Sequence, residues 1–226
     1  DRRRIPGMIA TFFRLFFWTI LVAAVFGWLQ LAYVSTSTRE AILVEDNHNG
    51  FAHTLGPAQD SFLWNRAAPG RVILHRVDVG PRVLRLEHKK GLAESEMLGL
   101  DDSFYVQTDL RFEFNLDSDQ LLGLFRKLDE PDWERLNDYL SVRLKYFLER
   151  RFADLFEDQR DLAALEATLY EYVSGEMTAD LNTEFAEEGV RFASVLPARI
   201  YVPDAALYQR ILADENLILS LQRARL

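Results

Sequence analysis

Cysteine is absent from the 226-residue sequence. The chain therefore has no disulfide framework, no cysteine-ligated zinc or iron–sulfur centre and no thiolate nucleophile. An excess of positive charge is also missing, because 26 basic side chains stand against 35 acidic ones and the pI is near 5.0. Nucleic-acid binding needs a basic face, so this balance argues against a nucleic-acid partner. Composition near the globular average excludes collagen-like and wholly disordered chains.

Motifs of known catalytic chemistry are missing as well. The sequence has no GxSxG, no P-loop, no GxGxxG and no HExxH. Only four histidines occur, and isolated positions in turns or strands are favoured over a metal site; they are His48, His53, His75 and His88. We therefore expect no enzymatic activity, no catalytic residues, no cofactor and no metal.

Two acidic pairs have simpler interpretations than a site. Asp117 and Asp119 have the spacing that opens a calcium loop, but leucine occupies the positions of its glycine and of its closing acid. The pair instead predicts the cap of a helix. Asp101-Asp102 precedes a predicted strand in polar sequence, which favours a solvated turn over an acid/base pair.

The longest apolar run lies near the start of the chain. Residues 15–34, LFFWTILVAAVFGWLQLAYV, contain no charge and would cross the ~30 Å hydrocarbon layer as a helix. Arginines are concentrated in residues 1–14, which predicts a cytoplasmic tail and an external main domain. Trp28 and Tyr33 are candidate interface anchors. A cleaved signal peptide is the alternative, although its apolar region usually spans only ~7–15 residues.

Charge is divided unevenly along the chain. Residues 1–34 carry four arginines and one aspartate, a net +3, which leaves a net −12 for residues 35–226 of the total −9. An acidic external domain is expected to stand off anionic lipid rather than adhere to it.

Residues 35–203 predict an α+β domain in which amphipathic helices pack on a twisted, mostly antiparallel sheet. Strand patterns occupy residues 41–45, 51–55, 71–79, 82–88, 103–116 and 190–202. The strict alternation of 103–116 predicts one buried and one wet face. Pro69-Gly70 predicts a turn, Pro197 a break in the last strand, and Pro203 the end of that strand.

The helical period predicts helices at residues 117–128, 131–152, 162–188 and 205–226. Gly189 closes the third of them, and its φ is expected to be positive. The last pattern has no closing signal, so residues 204–226 are predicted to be the start of a longer C-terminal helix or coiled coil.

The helix at 162–188 carries an acidic face, and the helix before it carries basic residues. The simplest interpretation of the acidic face is a solvated surface. In an oligomer it would meet a basic neighbour, and the residues predicted for such an interface are Glu176, Asp180, Glu184, Arg143, Arg150 and Arg151.

The order of these elements resembles the stomatin/prohibitin/flotillin family, also called SPFH or band 7. The segment from Ala68-Pro69-Gly70-Arg71-Val72 to Arg76-Val77-Asp78-Val79 is similar to the family's proline-glycine turn and its two strands. Residues 100–106, LDDSFYV, continuing into 110–114, LRFEF, are similar to its central strand. Residues 189–192, GVRF, and 200–203, IYVP, are similar to the close that precedes its coiled coil. The resemblance spans residues 15–226.

This resemblance implies an SPFH domain at residues 35–203 and a non-enzymatic membrane scaffold. Such a scaffold forms a homo- or hetero-oligomeric ring or cage on membrane lipid. Its clients would be integral membrane proteins, such as an AAA-type membrane protease or a flagellar stator, in the inner (cytoplasmic) membrane. The alternative is a single-pass sensor whose external domain binds a ligand in a pocket.

Overall fold

The computed structural model describes residues 5–67, 70–92, 104–128, 131–158 and 162–225. Within them the chain is mixed helix and sheet, with one long apolar helix at the N-terminal end. The strands are β1 (Tyr33–Ser35), β2 (Glu40–Asp46), β3 (Gly50–Leu55), β4 (Asp60–Phe62), β5 (Val72–Asp78), β6 (Arg82–Gly91), β7 (Tyr105–Leu116) and β8 (Val190–Tyr201). The α-helices are α1 (Ile5–Ala32), α2 (Leu121–Leu128), α3 (Trp133–Asp158), α4 (Leu162–Gly175), α5 (Met177–Glu184) and α6 (Ala205–Arg225). Short 3₁₀ helices occupy Trp64–Ala67 and Ala186–Glu188.

The described strands form three antiparallel sheets instead of the single sheet expected from the sequence. Their orders are β1-β4, β3-β2-β5 and β6-β7-β8. The division between the second and third sheets falls at Gly80. There the Asp78 carboxylate accepts the Gly80 N–H at 2.9 Å, and Pro81 follows, so the chain turns out of the second sheet before β6 begins.

Strand β7 confirms the predicted alternation. Its burial alternates residue by residue from Tyr105 to Leu116, with Leu110 and Phe112 fully enclosed. The buried face packs against helices α2 to α5 and forms the large core. The other face is half-buried and polar, as expected for a sheet covered on one side only.

Strand β2 is buried on both faces. Ala41 and Leu43 belong to the large core, whereas Ile42 and Val44 belong to a second, smaller core with Val34 and Leu55. The run AILV at residues 41–44 is therefore apolar without alternation because each face of the strand has its own core to fill.

The long helix predicted at 162–188 is divided into α4, α5 and the second 3₁₀ helix. The interruption falls at Glu176, directly after Gly175, whose lack of a side chain makes it a poor helix former. The predicted apolar stripe nevertheless lies entirely in the core; its members are Leu165, Leu169, Val173, Met177, Leu181 and Phe185.

The break predicted at Pro197 is wrong. Strand β8 continues through it, and the register with β7 skips Ala198, so that Leu110 faces Pro197 while Asp109 faces Arg199. Because β8 lies at the edge of its sheet, a bulge accommodates the missing N–H of proline.

Candidate membrane anchor and assembly surface

Helix α1 is the candidate membrane anchor. Its stretch Thr11–Ala32 has 22 residues and is long and apolar enough to cross a membrane, and only 6% of its most apolar window is buried. The hydroxyl of Thr19 donates to the Leu15 carbonyl at 2.9 Å, which satisfies this polar group within the helix. By length and composition the helix is a single membrane span or a signal sequence. It ends at Ala32, earlier than the predicted 34, because Tyr33 and Val34 enter β1.

The end of α1 is joined to the domain by a compact junction that the sequence did not predict. Strand β1 begins directly after the helix and pairs with β4, with Tyr33 opposite Phe62. The N–H of Leu63 donates to the Ala32 carbonyl at 2.7 Å, and the Arg66 guanidinium donates to the Tyr33 carbonyl at 3.2 Å. The segment after β4 is thereby folded back onto the last turn of the helix.

Aromatic rings line this junction. Trp28 stacks on Trp64 with ring centroids 4.9 Å apart, and Trp64 stacks on Phe62 at 5.6 Å. Tyr33 lies 5.4 Å from Phe62. Trp28 and Tyr33 therefore lie at the helix end, as expected from the sequence, but two further aromatics from a distant segment join them.

The predicted interface residues meet within the chain in an arrangement that we call the ionic ladder. Arg143 of α3 donates to Glu188 at 2.9 Å and lies 4.0 Å from Glu184. Two turns further along α3, Arg150 donates to Glu184 at 2.9 Å. Arg151 reaches Asp180 at 3.2 Å. The basic and acidic faces thus pair helix to helix in one subunit.

Two tyrosines extend the ladder into half-buried positions. The hydroxyl of Tyr139 donates to Glu188 at 3.0 Å, and that of Tyr172 donates to Asp180 at 2.9 Å. Burial, reinforced by these carboxylates, raises the pKa of both tyrosines, so they stay protonated donors. Glu188 is only 6% exposed. Glu188 is not among the residues predicted for the interface, although its four-residue spacing from Glu184 places both on one helical face.

Glu176 lies apart from the ladder. It is exposed and forms no ion pair with any residue in the described part of the chain. The six predicted interface residues thus comprise five that pair within the subunit and one that does not. Their role between subunits stays a prediction.

The predicted turn residues have separate roles. Gly189 has φ +69°, which confirms the expected positive value, and a Cβ there would lie 2.5 Å from the Cβ of Gln120. Gly70 has φ +73°; Pro69 lies outside the described residues. Pro203 is buried after the end of β8. Asp204 then caps α6, accepting the Leu207 N–H at 2.7 Å.

The other candidate polar residues do not converge. His75 lies 2.6 Å from Glu45, and burial lowers the pKa of His88, while His48 and His53 are exposed. No three histidine, aspartate or glutamate residues of the described chain are grouped so as to hold a metal ion. Asp117 accepts the Asp119 N–H at 3.1 Å in a local turn before α2. Asp101-Asp102 lies outside the described residues.

A small cleft opens beside the junction. It has a volume of about 270 Å³, close to the lower end of the range for ligand sites. Its walls are mostly apolar, with four side chains able to form hydrogen bonds; the lining is Val44, Asp46, Ala52, His53, Phe62, Leu63, Trp64, Asn65 and Val72.

Comparison with known proteins does not assign this chain to a family. No family model matches the sequence, and no curated protein sequence matches it either. The likeness to the SPFH family consequently rests on the order and spacing of the elements.

Proposed function

We propose that this protein is a non-enzymatic, membrane-anchored scaffold that assembles into a ring or cage around an integral membrane client and regulates it. The observation that carries the proposal is the direct junction between an exposed apolar helix and a folded domain. A short, hydrogen-bonded connection of this kind holds each domain at a set position above the bilayer. Neighbouring copies are thereby presented to one another in the same orientation, which favours closed assemblies.

Helix α6 supplies the surface for assembly. Its first turns are fixed to the domain by buried Tyr208 and Leu212, and Tyr208 lies against Phe104 with ring centroids 5.1 Å apart. Large apolar side chains of α6 are exposed: Leu207 in its first turn, and Leu217, Ile218 and Leu221 beyond Leu212. In a ring these side chains would be covered by neighbouring subunits, and modest contacts would be multiplied by valency.

The ladder residues are proposed to take part in the same assembly. Because Arg143, Arg150 and Arg151 have partners within the subunit, a contact between subunits would share or exchange those partners. Glu176, exposed at the start of α5, is the acid best placed to meet a neighbour's cation. Such partly exposed pairs give specificity of docking more than affinity.

The client and location follow from the family resemblance and from the charge pattern. The arginine-rich tail is proposed to lie in the cytoplasm, α1 in the inner membrane, and the acidic domain on the extracytoplasmic side. The client would be an AAA-type membrane protease or a flagellar stator or channel, enclosed together with a patch of membrane lipid.

A second candidate function is favoured by the cleft beside the junction. Asp46, His53 and Asn65 project polar groups into otherwise apolar walls, an arrangement typical of small-ligand sites. On this alternative the protein is a single-pass sensor whose extracytoplasmic domain binds a ligand and signals through its helices.

The mass and shape of the detergent-extracted native particle test the scaffold proposal. Light scattering and negative-stain images should show a closed particle of many copies. Ile218→Glu, which places a charge on the exposed face of α6, should reduce the particle mass, whereas Gln209→Glu on the same helix should not. A wild-type particle that stays a monomer or dimer at high concentration would contradict the scaffold and favour the sensor.

A further inference from the structure

The junction places an aromatic segment at the depth of the helix end. Trp64 stacks on Trp28, which lies one turn before Ala32, and the Leu63 N–H is hydrogen-bonded to Ala32 itself. The segment Trp64–Ala67 therefore lies beside the last turn of α1. A turn of helix is ~5.4 Å long. Trp28, and with it the stacked Trp64, therefore lies within about one turn of the end of α1.

The spacing of the tryptophans along α1 sets the depth scale. Ten residues separate Trp18 from Trp28, which corresponds to ~15 Å along the axis, half of the ~30 Å hydrocarbon core. The span Thr11–Ala32 has its middle between residues 21 and 22, so Trp18 lies ~5 Å from the midplane and Trp28 lies ~6 Å before the end of the span. Trp64, stacked on Trp28, lies at the same depth, near the boundary between acyl chains and headgroups.

The surface of this segment suits that boundary. Phe62 is 49% and Trp64 51% exposed, which is unusual for two stacked aromatic side chains at one site. Tryptophan and tyrosine are enriched where membrane and water meet, because one end of the ring is apolar and the other is polar. Arg66 is exposed next to them and bonded to the Tyr33 carbonyl, so its charge lies where lipid phosphates are.

From this continuity with α1 we infer that Phe62 and Trp64 form a second membrane contact, embedded in the lipid interface beside the anchor. The inference rests on the proposed membrane anchoring of α1 and deepens it. One helix alone leaves a domain free to tilt and rotate. A second contact, held to the helix by stacking and hydrogen bonds, fixes the side of the domain that faces the bilayer.

Depth-dependent quenching of single tryptophans tests the inference. The full chain has four tryptophans, and three variants would each keep one of Trp18, Trp64 or Trp133 and carry phenylalanine at the rest. Each is reconstituted in phosphatidylethanolamine/phosphatidylglycerol vesicles containing lipids brominated near the headgroup or near the chain terminus. Trp64 should be quenched most by the shallow bromines and Trp18 by the deep ones. Trp133, whose ring is covered by Arg82 at 3.4 Å, should be quenched by neither.

The possible outcomes distinguish a failure of the second membrane contact from a failure of the proposed membrane anchoring of α1. Quenching of Trp18 without quenching of Trp64 would leave the anchor in place and overturn the second contact. Loss of quenching at both would overturn the membrane anchor. A Trp64 that neither bromolipid nor aqueous iodide quenches would show a protein partner at this surface, which also overturns the inference.

A further substitution, made in the Trp64-only variant, tests the apolar surface beside Trp64. In the Trp64-only background, Phe62→Ser should reduce the shallow quenching of Trp64, because it removes the adjacent apolar ring. Val83→Ser changes an equally exposed apolar residue (49%) on β6, in the other region of the domain, and should leave quenching unchanged. Circular dichroism of each variant confirms that the fold is retained. Equal quenching in both would overturn the role of Phe62.

Discussion

The two three-stranded sheets, one around β7 and one around β2, differ in what covers their apolar faces. The β7 sheet packs against four helices, and three arginines of α3 pair with acids of α5 and of the following 3₁₀ helix in the ionic ladder. The β2 sheet shares only one of its faces with that large core. Its other face covers a small core of four buried residues next to exposed aromatics. The sheet of the first region is covered by helices of the same subunit, whereas the second region presents apolar surface at the side where α1 leaves the domain.

The largest difference is expected between adjacent residues of β2. Leu43→Ala should cost about 3–5 kcal/mol of unfolding free energy, because the large core surrounds it and cannot collapse into the cavity. Ile42→Ala, on the opposite face, should cost about 2–3 kcal/mol, since partly exposed Leu63, Val72 and Leu74 can relax around it. Guanidinium unfolding of the detergent-solubilised chain, followed by circular dichroism, measures both. An Ile42→Ala variant at least as unstable as Leu43→Ala would contradict the ranking.

Gly189→Ala should cost about 2–4 kcal/mol, because it adds a Cβ at φ +69° only 2.5 Å from Gln120. This substitution lies directly before β8, in the region where helices cover the β7 sheet. Gly123→Ala is the matched control: its Cβ would meet nothing within 4 Å, and within α2 it should gain about 0.5–1 kcal/mol. The same unfolding experiment compares them. A Gly189→Ala variant of wild-type stability would exclude the close approach to Gln120.

The ladder should be strong at its buried end and weak at its exposed end. Glu188→Gln should cost about 1–3 kcal/mol, since it leaves the Arg143 guanidinium without its carboxylate in a half-buried position. Arg150→Gln should cost less than about 1 kcal/mol, because that side chain is 46% exposed. A double-mutant cycle of Arg143→Gln with Glu188→Gln measures the coupling. Equal losses of unfolding free energy in Glu188→Gln and Arg150→Gln would mean that burial does not determine the strength of the ladder's ion pairs.

The smallest effect is expected from pH at His88. Burial lowers the pKa of His88, Lys90 and Lys145 lower it further, and Glu149 opposes them. The unfolded chain therefore binds the proton more readily, so the stability of the wild type should fall as pH drops below about 6.5 and be flat above it. His88→Phe keeps a ring against Phe152 and removes the titration. The difference in unfolding free energy between the two proteins should change by less than about 1.4 kcal/mol per pH unit. A difference independent of pH would contradict the assignment.

Local periodicity predicted the parts of the fold that depend on it. The alternation around Phe112 gave β7, the i, i+4 stripe around Leu169 gave the core face of α4 and α5, and Gly189 gave the helix stop. These signals lie within a few residues of one another, so the chain itself displays them.

Features that depend on distant partners were not predictable in this way. Strands β1 and β4 have three residues each, too few for alternation, and they exist because Tyr33 and Phe62 pair across the chain. The ladder joins Arg143 to Glu188 and Arg150 to Glu184 over 45 and 34 residues. The sequence displayed both charged faces, but nothing local states whether they meet within one subunit or between two.

Strand β2 also has a mechanical consequence. Val34, two residues beyond α1, packs against Ile42 and Val44, while Leu43 between them packs into the helical layer. A displacement of α1 would thus be transmitted through one strand to the far side of the domain. The amide protons of β2 should exchange with solvent only when the whole domain opens. Helix α1 and the helical layer are consequently connected mechanically through β2, which contributes side chains to both cores.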